Sequence, residues 1–157
     1  MSKVEQNVPL APLTTFAIGG AAEFFTAVSS EAELIEALIF ARKESLPVTV
    51  LGGGSNVLVD DEGVMVLVIS NNIPGIDYAD DGKEIVCRVG AGEVFDDLVA
   101  DTVKKDYWGL ENLSRIPGSV GATPIQNVGA YGVEVGDLIS EVVTINKLTH
   151  EKKVFKK

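Results

Sequence analysis

The sequence predicts an α+β fold arranged as two small lobes. Three observations carry this. Two stretches have helical apolar periodicity, several short β-branched runs are bounded by Gly, Pro and Asp turns, and 157 residues suffice for one domain or for two lobes sharing a core. A chain of this size buries about 68–70% of its unfolded surface and needs no disulfide staples.

Taken in order, residues 1–13, with Pro9 and Pro12, read as a loose lead-in. Thr14 to Gly20 is a short apolar piece ending in a glycine pair, and Ala22 to Val28 reads as a strand. The first helix starts at the capping box Ser30-x-x-Glu33 and places Leu34, Ile35, Leu38 and Ile39 on one face. Arg42 and Lys43 suit the negative end of its dipole, and Pro47 prevents continuation. Val48 to Leu51 is a β-branched strand, and Val57 to Val59 and Val64 to Ile69 read as two more, separated by the acidic turn Asp60 to Gly63. These runs are apolar on both faces, which predicts a covered, partly parallel sheet.

Ile73-Pro74-Gly75-Ile76 is a turn and the expected seam between a lobe at 1–72 and a lobe at 73–157. In the second lobe Glu84 to Val89 alternates as a strand. Val94 to Val103 reads as a helix with Phe95, Leu98, Val99 and Val103 on its apolar face, closed by Tyr107 to Leu110. Ile139 to Ile145 alternates as a strand, Thr149 to Glu151 turns, and Val154-Phe155 begins another strand. The second lobe is therefore expected to carry a mixed or antiparallel sheet.

Composition narrows the function. A single cysteine, Cys87, excludes an internal disulfide and a multi-cysteine metal site, and its alternation with apolar neighbours makes it a small strand residue. The one histidine, His150, reads as a solvated turn residue, which argues against a Ser-His-Asp triad or a His-rich metal centre. No catalytic residue and no metal ligand is assigned. The net charge of −10 offers no basic face to nucleic acid or to an anionic membrane. No run approaches about 18 apolar residues, and the N-terminus lacks a basic region followed by an apolar core, so a soluble cytoplasmic chain is expected.

Two stretches stand out chemically. Ile116 to Val133 holds no charged residue, is broken by Gly118, Gly121, Gly129, Gly132, Pro117 and Pro124, and offers only Ser119, Thr123, Gln126, Asn127 and Tyr131 as polar side chains. Glycines allow close backbone approach, and neutral amides and hydroxyls read a polar ring edge, so the segment either lines a cofactor or is a packed glycine-rich crossover. Gly52 to Asn56, directly after a strand, is either a phosphate cradle of converging backbone N–H groups or a flexible loop. The dinucleotide fingerprint fails because position 57 is Val57, and no Lys-Ser/Thr follows for a P-loop. No Lys or Arg occurs between Glu44 and Gly82, so an anion there would rely on amides, Ser55 and Asn56.

Five motifs occur in order: Thr15-Phe16-x-Ile18-Gly19-Gly20, Leu51-Gly-Gly-Gly-Ser-Asn-Val-Leu58, Gly109-Leu-Glu-Asn-Leu113, Ile116-Pro-Gly-x-Val-Gly and Pro124-Ile-Gln-Asn-x-Gly-Ala-Tyr-Gly-Val-Glu134. Together they closely resemble the N-terminal FAD-binding part of the UDP-N-acetylenolpyruvoylglucosamine reductase (MurB) family. The resemblance covers roughly residues 10–147. It implies the FAD-binding fold of the vanillyl-alcohol oxidase (PCMH) type, non-covalent FAD, NADPH as hydride donor, and reduction of UDP-N-acetylglucosamine enolpyruvate to UDP-N-acetylmuramate for peptidoglycan.

Position by position, the resemblance implies that Leu51 and Gly52, Gly53, Gly54, Ser55 and Asn56 hold the FAD pyrophosphate. Ile116, Pro117 and Gly118, with Gly121, Ala122 and Thr123, would wrap the flavin and ribityl–phosphate chain. Ile125, Gln126, Asn127, Gly129, Ala130 and Tyr131 would edge the isoalloxazine and the adenine side. Arg115 is expected to be solvated or ion-paired. The family's Gly-Tyr-Arg-x-Ser motif and its substrate domain have no counterpart here, since no Tyr follows Tyr131 and no Arg follows Arg115. The chain is thus expected to be a portion of a longer protein, to meet the UDP-sugar only with the missing domain, and to be inactive alone. Rival readings are an oxidase of the same fold, or a scaffold without cofactor.

Overall fold

The computed structural model describes residues 3–157. The N-terminal part is built on a four-stranded sheet of order β1-β2-β4-β3, made by β1 (Glu5–Pro9), β2 (Ala21–Val28), β3 (Val48–Leu51) and β4 (Val64–Asn71). β4 runs parallel to both β2 and β3, pairing Phe24 with Leu67 and Val50 with Ile69, while β1 lies antiparallel on β2. The helix α1 (Glu31–Lys43) connects β2 to β3.

Both faces of this sheet are covered, as the doubly apolar runs predict. On one face Val28, Leu67 and Ile69 pack under Ala37, Leu38 and Ala41 of α1; on the other, Val68 meets Leu10, Ala22 and Leu51. Leu67 and Ile69 have no exposed surface, which at about 25 cal/mol per Å² of apolar area makes the central strand β4 the main anchor of this part. The edge strand β3 departs from the expectation, with Val50 56% exposed. Helix α1 uses its small residues rather than Ile39, which faces solvent; alanines let the helix approach the sheet closely.

The helix cap also differs in detail. Ser30 Oγ accepts from Glu33 N at 3.2 Å, but the Glu33 carboxylate takes the N–H (2.7 Å) and hydroxyl (2.9 Å) of Ser29. Those hydrogen bonds, the Ser29 N–H first, hold the Glu33 pKa below its ordinary value.

The loose lead-in is corrected. Residues 5–9 form β1, followed by a 3-10 turn at Ala11–Leu13. Pro9 is compatible because β1 is an edge strand, and Leu10 anchors it as a buried plug. Val57 to Val59 do not form a strand: Val57 and Val59 pack into the core, but the segment is held to its neighbour through Gly20 N–H to Asp60 O at 2.8 Å rather than by a ladder.

The chain continues with a hairpin of β5 (Ile76–Asp80) and β6 (Ile85–Val89), helix α2 (Phe95–Lys104), and 3-10 turns at Glu111–Leu113 and Val120–Ala122. A two-residue-strand hairpin, β7 (Gly129–Ala130) and β8 (Val133–Glu134), leads into the short helix α3 (Val135–Leu138). Strand β5 was not foreseen: Asp77 and Asp80 dilute its apolar signal, yet it pairs along its whole length with β6. Cys87 lies on β6 opposite Tyr78, as a strand residue packed against the core. Burial raises both the thiol and the Tyr78 phenol above their ordinary pKa values; the phenol also donates to Asp101 at 2.6 Å. The core joins Phe95, Leu98, Val99, Leu113, Val128 and Val135; Thr102, not Val103, completes the buried face of α2.

The last hairpin, β9 (Glu141–Ile145) and β10 (Lys152–Lys156), returns to the N-terminal part. Ile145 packs against the α1 core, Lys152 pairs with Glu31 at 2.6 Å, and Arg42 donates to Leu148 O. His150 sits in the hairpin turn with a left-handed φ of 62°, but it is half-buried and its Nε2 is shielded, so it is not the solvated residue expected.

Among the described residues two shielded side-chain atoms lack a hydrogen-bond partner, His150 Nε2 and Thr26 Oγ1. Thr26 on β2 is 1% exposed and its Oγ1 makes no hydrogen bond. Thr26→Val keeps the shape and removes that unmet polar atom, so it should stabilise the chain by about 1 kcal/mol and raise Tm by about 2–4 °C. A lower Tm in a thermal scan would contradict this.

Candidate functional site

The two chemically unusual stretches meet. β3 delivers Leu51 into the core and releases Gly52 to Asn56 as a loop at its C-terminal end. That loop lies along residues 117–119. Ser55 Oγ donates to Pro117 O at 3.3 Å, and Asn56 Nδ2 donates to Gln126 Oε1 at 2.7 Å. Residues some 62 and 70 positions apart in sequence therefore form two facing walls.

Glycine is required in this loop, for a reason different from the one the sequence suggests. A Cβ on Gly52 would overlap Ser119 Oγ, one on Gly53 would stand 2.9 Å from Gly118 Cα, and one on Gly54 would overlap Leu13 O. The space that side chains would need is filled by the protein itself. Gly54 also has φ +65°, and its carbonyl accepts from Thr15 N at 3.0 Å. The Thr15–Gly20 segment thus braces the loop from behind.

The loop's own N–H groups are left without partners. Among the described residues, no hydrogen bond is donated by the N–H groups of Gly53, Gly54, Ser55 or Asn56. Consecutive unpaired N–H groups in a loop braced on one side form an anion-binding concavity. The surrounding stretches, 45–59 and 116–133, contain no charged side chain, so neutral dipoles supply the whole local attraction. These features fit a phosphate diester bound by amides.

The second wall is fixed by α2 and the loop before it. Phe95 N–H donates to Gly118 O at 3.0 Å, Val120 N–H to Glu93 O at 2.8 Å and Gly121 N–H to Ala91 O at 2.9 Å. Gly121 is needed because a Cβ there would lie 2.6 Å from Ala91 Cβ. Glu93 in turn accepts from Gly75 N at 2.6 Å, tying this wall to the seam segment. Asp96 accepts from Arg115 N at 2.6 Å and from Ser114 Oγ at 3.1 Å, which steadies the left-handed turn at the exposed Arg115.

The residues expected to hold cofactor divide into groups. Gly52, Gly53, Gly54, Ser55 and Asn56 face Pro117, Gly118 and Gln126, with Ala122 behind Ser119 near Gly52. Ile116 packs partly into the second core, and Leu51 and Thr123 are buried; the Thr123 hydroxyl is committed to Val120 O at 2.9 Å. Ile125 is 86% exposed beside the cleft. Asn127, Gly129 and Ala130 border a separate shallow depression of about 390 Å³ at the β7–β8 hairpin. Tyr131 and Gly132, both with positive φ, make its primed-type turn, and Tyr131 is 89% exposed. Asn127 Nδ2 donates to Glu134 Oε2 at 2.7 Å, and among the described residues no hydrogen bond joins this hairpin to Gly52–Asn56.

Sequence reading passed over Ser119 as a site residue, although it is buried directly against Gly52. It also passed over Leu13, whose carbonyl backs Gly54; the adjacent Thr15-Phe16 motif was its only signal. Among the described residues no cluster of His, Cys, Asp and Glu could hold a metal ion, and no helix is long and apolar enough to cross a membrane.

A family model described as an FAD binding domain matches residues 22–149. A UDP-N-acetylenolpyruvoylglucosamine reductase of Streptomyces avermitilis is 43% identical over 92% of this chain, and one of Pseudomonas fluorescens is 39% identical over 98%. The chain spans 39% and 45% of the length of those two relatives. The crystal structure of the corresponding reductase from Thermus caldophilus matches 99% of this chain and 53% of its own, at 30% identity and TM-score 0.77. Cholesterol oxidase from B. sterolicum matches at TM-score 0.72 with 14% identity, a likeness of fold alone. The fold class is thus the α+β FAD-binding type expected from the motifs.

Proposed function

The chain belongs to the FAD binding domain family, and on that premise we propose that it is the flavin-holding portion of a UDP-N-acetylenolpyruvoylglucosamine reductase. The observation that carries the reading is the braced loop Gly53–Asn56, whose four N–H groups donate no hydrogen bond among the described residues, packed beside the uncharged stretch 116–133. Such a site suits a pyrophosphate flanked by neutral rings. Identities of 39% and 43% with the reductases, against 14% with the oxidase, favour the reductase over an oxidase of the same fold.

In this reading Gly52 to Asn56 hold the pyrophosphate. Pro117, Gly118, Gly121 and Ala122 form the opposite wall along the ribityl chain. Gln126, Asn127, Gly129, Ala130 and Tyr131 edge the rings, and Leu51, Ile116, Thr123 and Ile125 support them. A lobe division at 72/73 is supported by the separate cores, with the final hairpin folded back on α1. The chemistry supplied when FAD is bound is hydride transfer, from NADPH to the enolpyruvyl group of a UDP-sugar. This chain's own residues bind and orient; they place no proton donor at the cleft. Substrate contacts and turnover belong to the remainder of the longer protein, which acts in peptidoglycan precursor synthesis in the cytoplasm.

The test is a titration of the purified chain with FAD, read by flavin fluorescence and thermal shift, beside an NADPH-oxidation assay with the enolpyruvyl substrate. FAD should raise Tm by mass action, weakly because one face of the site is open, and turnover should be negligible. Robust NADPH-dependent turnover by residues 1–157 would overturn the division of labour; a flat FAD response would overturn the flavin reading.

A further inference from the structure

The Asn56–Gln126 hydrogen bond bridges the Gly52–Asn56 loop and the 116–133 stretch, and both residues are exposed. Gln126 lies between the exposed residues Ile125 and Asn127, in a segment without a β-ladder; Ile125 N–H to Ala122 O and Val128 N–H to Thr123 O hold its flanks. The Asn56 bond is the only side-chain hydrogen bond of Gln126 among the described residues. A glutamine has three rotatable side-chain torsions and otherwise sweeps a wide volume.

The chemistry of two primary amides fixes what remains. Asn56 uses one N–H, and Gln126 uses its carbonyl oxygen. Gln126 is left with two N–H donors and one oxygen lone pair, and Asn56 with one N–H donor and its acceptor oxygen. A free glutamine presents either end of its amide; a glutamine whose oxygen is engaged presents donors. The pair carries no charge, so it keeps this arrangement across pH and salt.

We propose that Asn56 is a positioning residue: by holding the Gln126 oxygen it presents the Gln126 –NH₂ into the cleft, selecting a ligand edge rich in carbonyl or ring-nitrogen acceptors. This rests on the flavin reading above, since a flavin ring offers such an edge. The same bond clips the phosphate-cradle loop to the opposite wall, so the two halves of the site are assembled before ligand arrives.

The test starts without ligand. Asn56→Ala, Gln126→Ala and the double variant are compared by urea unfolding of the full 157-residue chain, with the Gln126 side-chain –NH₂ resonances followed by NMR. The latch predicts that each single change raises the unfolding constant about three- to tenfold and that the double variant is no worse than either. It also predicts that Gln126 –NH₂ is ordered in the parent chain and mobile in Asn56→Ala. Additive effects, or a Gln126 –NH₂ already mobile in the parent, would overturn the proposal.

Gln126→Glu separates the two roles. Its carboxylate still accepts from Asn56, so stability should stay near that of the parent, while FAD affinity should fall at least tenfold for want of the donor. An Asn56→Ala chain that binds FAD as well as the parent would overturn the positioning role. A chain whose latch is intact but which binds no FAD would instead count against the flavin assignment.

Discussion

Gly54→Ala is expected to destabilise the chain by about 2–5 kcal/mol and to weaken FAD binding at least tenfold. Two costs add. The left-handed φ of +65° costs an L-residue about 1–2 kcal/mol, and the new methyl group would overlap the backbone carbonyl of Leu13, an overpacking cost of about 1–3 kcal/mol. Leu13 cannot yield easily, because its N–H is bonded to Leu10 O and Thr15 N–H is bonded to Gly54 O itself. The loop must then move away from residues 13–15, and its four unpaired N–H groups lose their common direction. Urea unfolding reads the first effect and flavin fluorescence the second. The control Gly82→Ala has a similar φ of +84° but open space around it, so it should cost only the conformational part.

Phe95→Ala should cost about 3–5 kcal/mol. Phe95 is 2% exposed at the start of α2, inside the core formed by Leu98, Val99, Leu113, Val128 and Val135. Leu98 and Val99 share α2 with Phe95, while Leu113, Val128 and Val135 come from three other segments, so the cavity cannot be closed by moving one of them. The position also carries a functional consequence, since the Phe95 N–H holds Gly118 O at 3.0 Å. Loosening the first turn of α2 releases the wall that faces Gly53 and Ser55. The expected signature is a large drop in unfolding free energy together with loss of FAD binding. A loss below about 1 kcal/mol would mean that this core repacks freely.

Much of the fold was legible because its local signals agree with its tertiary ones. Ser30 and Pro47 bracket α1, and the apolar run at Val64–Ile69 becomes the doubly covered central strand. The misses follow where tertiary context outweighs pattern. β1 carries Pro9 and is held by pairing with β2 and by one buried leucine, neither visible locally. β5 is half acidic and exists through its partner β6. Val57–Val59 has strand composition but no neighbouring edge to pair with.

The site was legible as two stretches and not as a geometry. Composition marks Gly52–Asn56 and Ile116–Val133 as unusual, but not which neighbours the glycines make room for. Their missing side chains make room for Ser119, Gly118 and Leu13, so that the loop can be braced while its N–H groups stay free of intramolecular partners among the described residues. Ser119 is named among the polar residues of the segment but not assigned to the site, because only its burial against Gly52 distinguishes it from a turn serine.

The central claim is that the amides of Gly53 to Asn56 receive the pyrophosphate of FAD. Amide-resolved NMR titration of the chain with FAD and, separately, with riboflavin, which lacks phosphate, tests it even when binding is weak. The account predicts that FAD shifts the Gly53, Gly54, Ser55 and Asn56 amide resonances, with Gly118 and Ser119 following, and that riboflavin leaves the four loop amides in place. Equal shifts with riboflavin, or FAD-dependent shifts that bypass these four amides, would contradict it.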